Sequence, residues 1–193
     1  MIQRRTLALL PAAAAALLAS GLPIAGLAQS KKDTMVLAMA LEPPGLDPTA
    51  GAASAIAEIV LYNVFETLTK IGADGKVTPL LAESWEVSPD LKTVTFKLRK
   101  DAKFQNGEPF NAQTVKYSFE RAGAEKSTNK DKRLFQSMAF IGTPDAATVV
   151  IGMKTIEPDL LFLLGQATAI MVEPKSSDTN ATQPVGTGPF KLE

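Results

Sequence analysis

The chain has 193 residues, 20 Lys and Arg against 20 Asp and Glu, 46% apolar residues, and neither cysteine nor histidine. This excludes thiolate nucleophiles, disulfides, His/Cys metal sites and imidazole-based triads, leaving carboxylate, lysine or serine chemistry, or plain binding. A formal charge of zero also argues against nucleic acid as a partner, because counterion release needs a surplus of Lys and Arg on one face.

Residues 1–28 read as an export signal. Arg4 and Arg5 form a positive start, the run from Leu7 to Ala28 carries no charge, and Gly26-Leu27-Ala28 places small residues at −3 and −1 of a cleavage site. Cleavage would leave Gln29 first, and a mature chain with 18 basic and 20 acidic residues. The competing reading is an uncleaved anchor, since the charge-free run is long enough to span a bilayer. Its alanines and the breaks at Pro11, Gly21, Pro23 and Gly26 favour a removable leader instead. Arg4-Arg5 resembles a twin-arginine signal, with Ala8 where a more apolar residue is usual, so both the twin-arginine and the general secretory route stay open. The expected location is periplasmic, where a cysteine-free composition is safe.

After Lys31-Lys32, the apolar run Met35–Leu41 predicts a buried strand stopped by Glu42-Pro43-Pro44-Gly45. Ile56, Val60, Val64 and Leu68 recur at helical spacing and predict a helix from Ser54 to about Gly72, with Lys70 in its last turn. Residues 83–87 and 93–99 alternate in polarity around Ser88-Pro89-Asp90 and predict a hairpin, with Trp85, Val87, Val94, Phe96 and Leu98 facing one core. Asn106-Gly107 marks a tight turn. Asn111 reads as the N-cap of a helix that turns Val115, Phe119 and Ala122 inward and closes near Gly123.

Arg121 to Arg133 is densely charged, but acids interrupt the bases and aromatics are absent, so it reads as a solvated loop rather than a basic patch. Thr148–Lys154 predicts another strand, Pro158 opens an apolar helical segment ending at Gly165, and Asp178–Pro184 reads as polar loop. Gly186-Thr187-Gly188-Pro189 then leads to a strand start at Phe190–Leu192.

Four segments carry a family resemblance: VLAMALEPPGLDP (36–48), YNVFETLTK (62–70), LAESWEVSPDLKTVTFKLRKDAKFQNGEPFNAQTVKYSF (81–119) and VGTGPFKLE (185–193). In this order they resemble the family 5 solute-binding proteins, the extracytoplasmic receptors of ABC importers for peptides, nickel chelates, opines and some oligosaccharides. One departure lies in the turn after Phe104, where this chain has Gln105 and Asn106 while the commoner pattern has His or Asp followed by Asp. The resemblance implies a mixed α/β chain that forms part of a two-lobed periplasmic-binding-protein fold. Residues 29–60 would begin lobe I, 61–174 would form its extra subdomain, and 175–193 would return into the lobe, with lobe II absent.

The resemblance further implies a small-molecule or oligopeptide ligand, ABC permease subunits as partners, and a monomer when complete. Candidate ligand contacts are Gly51, Ala52, Ala53 and Ser54, small residues leading into a helix N-terminus. Gly186 and Thr187 are a second candidate contact; their segment is too short for a P-loop and lacks its lysine, and also suits a permissive link between subdomain and lobe. No metal ligands, cofactor site or catalytic residues are expected. The alternative, a secreted hydrolase, would use Glu83 with Glu86, Glu157 with Asp159, or Ser127 with Lys130. The first pair reads as strand surface, the second suits a helix dipole, and the third lies in the charged loop.

Overall fold

Alternation along residues 82–98 produces the expected hairpin: β3 (Ala82–Val87) pairs antiparallel with β4 (Thr93–Leu98), Trp85 opposite Phe96 and Val87 opposite Val94. These belong to a computed structural model that describes Val36 and residues 38–192. The leader therefore lies outside the described residues. The chain divides into units 1–39 and 40–193, and every described helix and strand lies in the second.

Before the hairpin come α1 (Ser54–Val60), β1 (Thr69–Ile71) and β2 (Val77–Pro79); after it come α2 (Ala112–Gly123), α3 (Lys132–Gln136), β5 (Met138–Asp145), β6 (Thr148–Met153) and α4 (Leu160–Leu163). A 3-10 turn follows at Ala167–Ala169. β1 and β2 form a two-stranded ribbon, and the other four strands form a sheet of order β3-β4-β6-β5, antiparallel at every pairing. One face of that sheet buries Val94, Phe96, Leu98, Val149 and Ile151 under Val115 and Phe119 of α2. A smaller apolar cluster gathers Ile56, Val60, Val64 and Phe65 with Ile170 and Val172. Among the described residues, no helix is long and apolar enough to cross a membrane.

α2 follows from its cap. The Asn111 side chain accepts from the Gln113 and Thr114 N–H groups, while the Thr114 hydroxyl accepts from the Asn111 N–H, a reciprocal pair that satisfies orphan donors at the helix start. Val115, Phe119 and Ala122 are buried as expected. Asn106-Gly107 makes its turn with Gly107 at φ 88°, a conformation natural to glycine.

Five expectations need correction. The long helix stops at Val60, whose carbonyl takes the N–H groups of Asn63, Val64 and Phe65 as the chain turns. Tyr62 sits at φ 62°, held there because its hydroxyl donates to the Gly165 carbonyl (2.7 Å) and accepts from the Ile71 N–H (2.9 Å). Val64 and Leu68 are buried but not helical, so their spacing reports burial rather than period. Thr69–Ile71, in place of a last helical turn, is strand paired with Val77–Pro79.

The apolar run 35–41 forms no strand in its described part, where Val36 is 90% and Leu41 62% exposed. A strand needs a neighbour to take its backbone hydrogen bonds, and the described residues of this run belong to no sheet. Residues 190–192 are not strand either: Phe190, 65% exposed, gives its N–H to Asn63 O, outside any strand ladder.

The charged stretch 121–133 is only partly a solvated loop. Arg121 is half-buried, Asn129 is buried with its amide donating to the Thr168 carbonyl (2.9 Å), and Asp131 accepts from the Thr168 hydroxyl (2.7 Å). α3 begins at Lys132 and brings Phe135 to 5.4 Å from Phe119, ring to ring. Within the hairpin, Val87 lies exposed at the turn end of an edge strand, and Trp85 is half-buried. β5 lacks strict alternation and is not foreseen from sequence; two register shifts against β6 account for that.

Candidate functional site

Asp47 anchors the first candidate loop. Its Oδ1 accepts from both the N–H and the hydroxyl of Thr49 (2.8 and 2.6 Å), the local pattern that makes Asp a turn former. Its Oδ2 pairs with Arg121 Nη2 at 3.1 Å, and Arg121 Nη1 donates to Thr49 Oγ1 at 2.5 Å. The carboxylate side chain is 3% exposed and the guanidinium 27%. A buried charge is tolerated only when paired and hydrogen-bonded, and this one has both conditions met. Behind the turn, Thr128 Oγ1 donates to the Ala50 carbonyl (3.2 Å).

From this anchored base the chain runs out through Gly51, which is half-buried, to Ala52, Ala53 and Ser54, all exposed. A Cβ on Gly51 would come within 2.8 Å of Ile56 Cδ1, so the glycine lets the loop fold back on the first turn of α1. Ala53 at the N-cap position offers no side-chain acceptor, and the start of α1 has no side-chain cap. The result is a fixed, exposed stretch of small side chains with accessible backbone.

Gly186 and Thr187 are placed differently. Gly186 is buried, and a Cβ there would lie 1.9 Å from the Val64 carbonyl oxygen; one on Gly188 would lie 2.3 Å from that of Asn63. Both glycines permit backbone to pass against backbone, sealed by hydrogen bonds from Gly188 N–H to Val64 O (2.9 Å) and Phe190 N–H to Asn63 O (3.0 Å). Thr187 is half-buried, and its hydroxyl oxygen is buried with no completed hydrogen bond. It faces Glu66, whose carboxyl is pushed above its ordinary value by burial, against the lowering influence of the Thr187 hydroxyl, Arg99 and Lys70.

Gln105 locks this seam. Its Nε2 donates to the carbonyls of Gly188 (3.0 Å) and Phe190 (2.5 Å), its Oε1 accepts from the Gly186 N–H (3.2 Å), and its own N–H donates to the Gly186 carbonyl (2.9 Å). The two candidate segments are thus held by separate partners: Gly51–Ser54 by Asp47, Arg121 and Ile56, and Gly186–Gly188 by Gln105 and residues 63–66. Arg121 is hidden from sequence reasoning because its partners, Asp47 and Thr49, are distant in sequence; the Asp-Pro-Thr turn is the available signal.

The acid pairs that a hydrolase would use do not converge. Glu83 and Glu86 are exposed on β3, Asp159 is exposed, Glu157 is half-buried, and the Ser127 hydroxyl accepts from the Asn129 N–H. Among the described residues, no group of three or more carboxylates is placed to hold a metal ion.

A family model described as "Bacterial extracellular solute-binding proteins, family 5 Middle" matches residues 76–193. The glutathione-binding protein GsiB of Salmonella typhimurium is 33% identical over 152 residues, covering 77% of this chain and 30% of that protein. A putative ABC transporter peptide-binding protein of Brucella ovis is 38% identical over 121 residues, covering 58% of this chain and 23% of its own. Among solved structures, the PBP AgaA in complex with agropinic acid, from A. tumefacien R10, superposes with a TM-score of 0.73 at 34% identity, covering 79% of this chain and 31% of AgaA. A nickel ABC transporter structure from Bacillus halodurans gives 0.68 at 32% identity, covering 79% and 30%. This chain spans about 30% of the length of the first of these relatives. With the mixed α/β fold and the signature hairpin in place, the chain belongs to the bacterial extracellular solute-binding proteins of family 5.

Proposed function

We propose that this chain forms part of lobe I of an extracytoplasmic receptor that binds a peptide or related small solute and presents it to an ABC permease. The observation that carries this reading is the loop Gly51–Ser54: fixed at its base by the Asp47–Arg121 pair, exposed at its tip, and free of large side chains. Such a surface lets a ligand approach backbone groups closely. In this reading Gly51, Ala52, Ala53 and Ser54 touch the ligand, while Gly186 and Thr187 hold the returning segment in place. Residues 29–60 begin the lobe, 61–174 form the subdomain, and 175–193 return. The leader is cleaved after Ala28, the mature protein is periplasmic and monomeric when complete, and nucleic acid is no partner. Catalysis has no part in it, because the acids and Ser127 point to surface or structural duties.

One lobe supplies one wall of a site that normally closes from two sides. If that halves the contact free energy of a micromolar ligand, about −8 kcal/mol falls to about −4, a millimolar affinity. The test is an NMR titration of the chain with short peptides, glutathione and an opine. Amide shifts clustered at residues 51–54, saturating in the millimolar range, are expected. Shifts confined to other regions, or none at about 10 mM ligand, would overturn the proposal.

A further inference from the structure

Beside the anchored turn lies an open cavity of about 260 Å³ whose wall includes Thr49, Arg121, Lys126, Ser127 and Thr128 and no acidic side chain. Asp47 does not line it; its carboxylate lies behind the turn, occupied by Thr49 and Arg121. The Arg121 guanidinium spends Nη1–H on Thr49 Oγ1 and its Nη2 group on Asp47 and the Ser177 carbonyl. Among the described residues its Nε–H and second Nη1–H have no acceptor. Lys126 makes no ion pair with a described residue, and the Ser127 hydroxyl accepts from Asn129 N–H but donates to no described group. Thr49 and Thr128, by contrast, already give their hydroxyl protons to Asp47 and Ala50.

We infer that this cavity is an oxyanion subsite, with Arg121, Lys126 and Ser127 as donors to a carboxylate of the bound solute. Two cations and a free hydroxyl line it without a competing acid on the wall, and a charge-assisted hydrogen bond from an unspent guanidinium N–H suits a carboxylate oxygen. Asp47 neutralises Arg121 in part but leaves the Lys126 charge uncompensated, so the cavity keeps a positive balance. Thr128 joins its rim to Ala50, next to Gly51, so a solute lying on the loop can place an acidic end here. That last role rests on the receptor reading; the oxyanion site itself does not.

The test uses the 193-residue chain, ¹⁵N-labelled, titrated separately with sodium acetate and sodium phosphate at constant ionic strength made up with chloride. Saturable amide shifts at residues 49–51 and 126–128 are expected with acetate, and Lys126→Glu, which leaves every described hydrogen bond of the turn intact, should weaken them about tenfold. Lys103→Glu, exposed and not part of the cavity wall, should leave them unchanged. Shifts that grow linearly without saturation, that occur elsewhere, that are equal in Lys126→Glu, or that appear with phosphate alone would overturn the inference. Peptide-induced shifts at 51–54 without acetate binding would sink the subsite and spare the receptor reading; acetate binding without any peptide response would do the reverse.

Discussion

The side-chain amide of Gln105 donates to the Gly188 carbonyl at 3.0 Å, stitching a surface turn to a segment far along the chain. With its bonds to Phe190 and Gly186, one side chain serves three backbone groups of the return segment. Gln105→Ala leaves them without partners in a half-buried seam, and each such loss costs about 1–3 kcal/mol when water cannot replace the bond. A drop of about 2–3 kcal/mol in urea unfolding is expected, with Gln105→Glu nearly as harmful because a carboxylate cannot donate. Hydrogen exchange at Gly186 should rise in Gln105→Ala and stay low in Gln105→Glu, whose carboxylate still accepts the Gly186 N–H. A change below about 0.5 kcal/mol would mark the contact as a bystander.

Gly186→Ala places its methyl carbon where the Val64 carbonyl oxygen already sits, 1.9 Å away. Backbone cannot yield as a flexible side chain can, so the return segment must separate from residues 63–66. The expected cost is about 3 kcal/mol or more, whereas Gly75→Ala, with open space around it and strain only from φ 76°, should cost about 1 kcal/mol. Chemical denaturation of the two variants side by side decides the order.

In the hairpin, depth should separate two aromatic residues that face each other. Phe96 is fully buried and Trp85, opposite it, is half-buried on the edge strand. Phe96→Ala should cost about 3–5 kcal/mol, and Trp85→Ala about half of that. Lys97→Ala should change stability by no more than about 0.5 kcal/mol despite its contact with Thr148 Oγ1, because the ammonium stays hydrated. Equal losses at Phe96 and Trp85 would contradict the burial difference.

Burial holds the Glu66 carboxyl above its ordinary 4.5. The folded state therefore keeps its proton to higher pH than the unfolded chain does. That contribution to stability is complete below 4.5 and is lost as pH rises through the raised native value. Glu66→Gln should be more stable than the parent near neutral pH and equal to it near pH 4. Asp74, Asp90 and Asp145, all lowered from 3.8 chiefly by hydrogen bonds, act with the opposite sign: their contribution is lost as pH falls below that value. They are fully exposed, so solvent screens them. Urea unfolding at pH 4 and pH 7 checks the crossover.

The hairpin and α2 are legible in the sequence because their determinants are local: alternation on one face, an Asn111 cap, a Gly107 turn. The break at Tyr62 is not, since it depends on hydrogen bonds to Gly165 and Ile71, and no window around Tyr62 contains the former. β1 and β2 are three residues each, too short for a period to declare itself, although Asp74-Gly75 marks their turn. The loop 51–54 is marked out by family likeness rather than by chemistry in its own side chains. The glycines at 186 and 188 read as a permissive link, and what the sequence does not show is their close passage past Asn63 and Val64. Arg121 is hidden among neighbouring charges because its partner Asp47 lies across the fold.

The sheet order β3-β4-β6-β5 has a kinetic corollary. Each outer pair, β3 with β4 and β5 with β6, is a hairpin of near neighbours, and such units form in about 1–10 μs. The central pairing, Thr93 beside Gly152 through Lys97 beside Thr148, closes a loop of about fifty residues that contains α2. Its entropy must be met before Phe96 and Val149 come together, so docking of two preformed hairpins around α2 becomes the slow event. Substitutions at the β4–β6 seam should then slow refolding, while those at the outer turns, Ser88–Leu91 and Asp145–Ala147, should mainly speed unfolding.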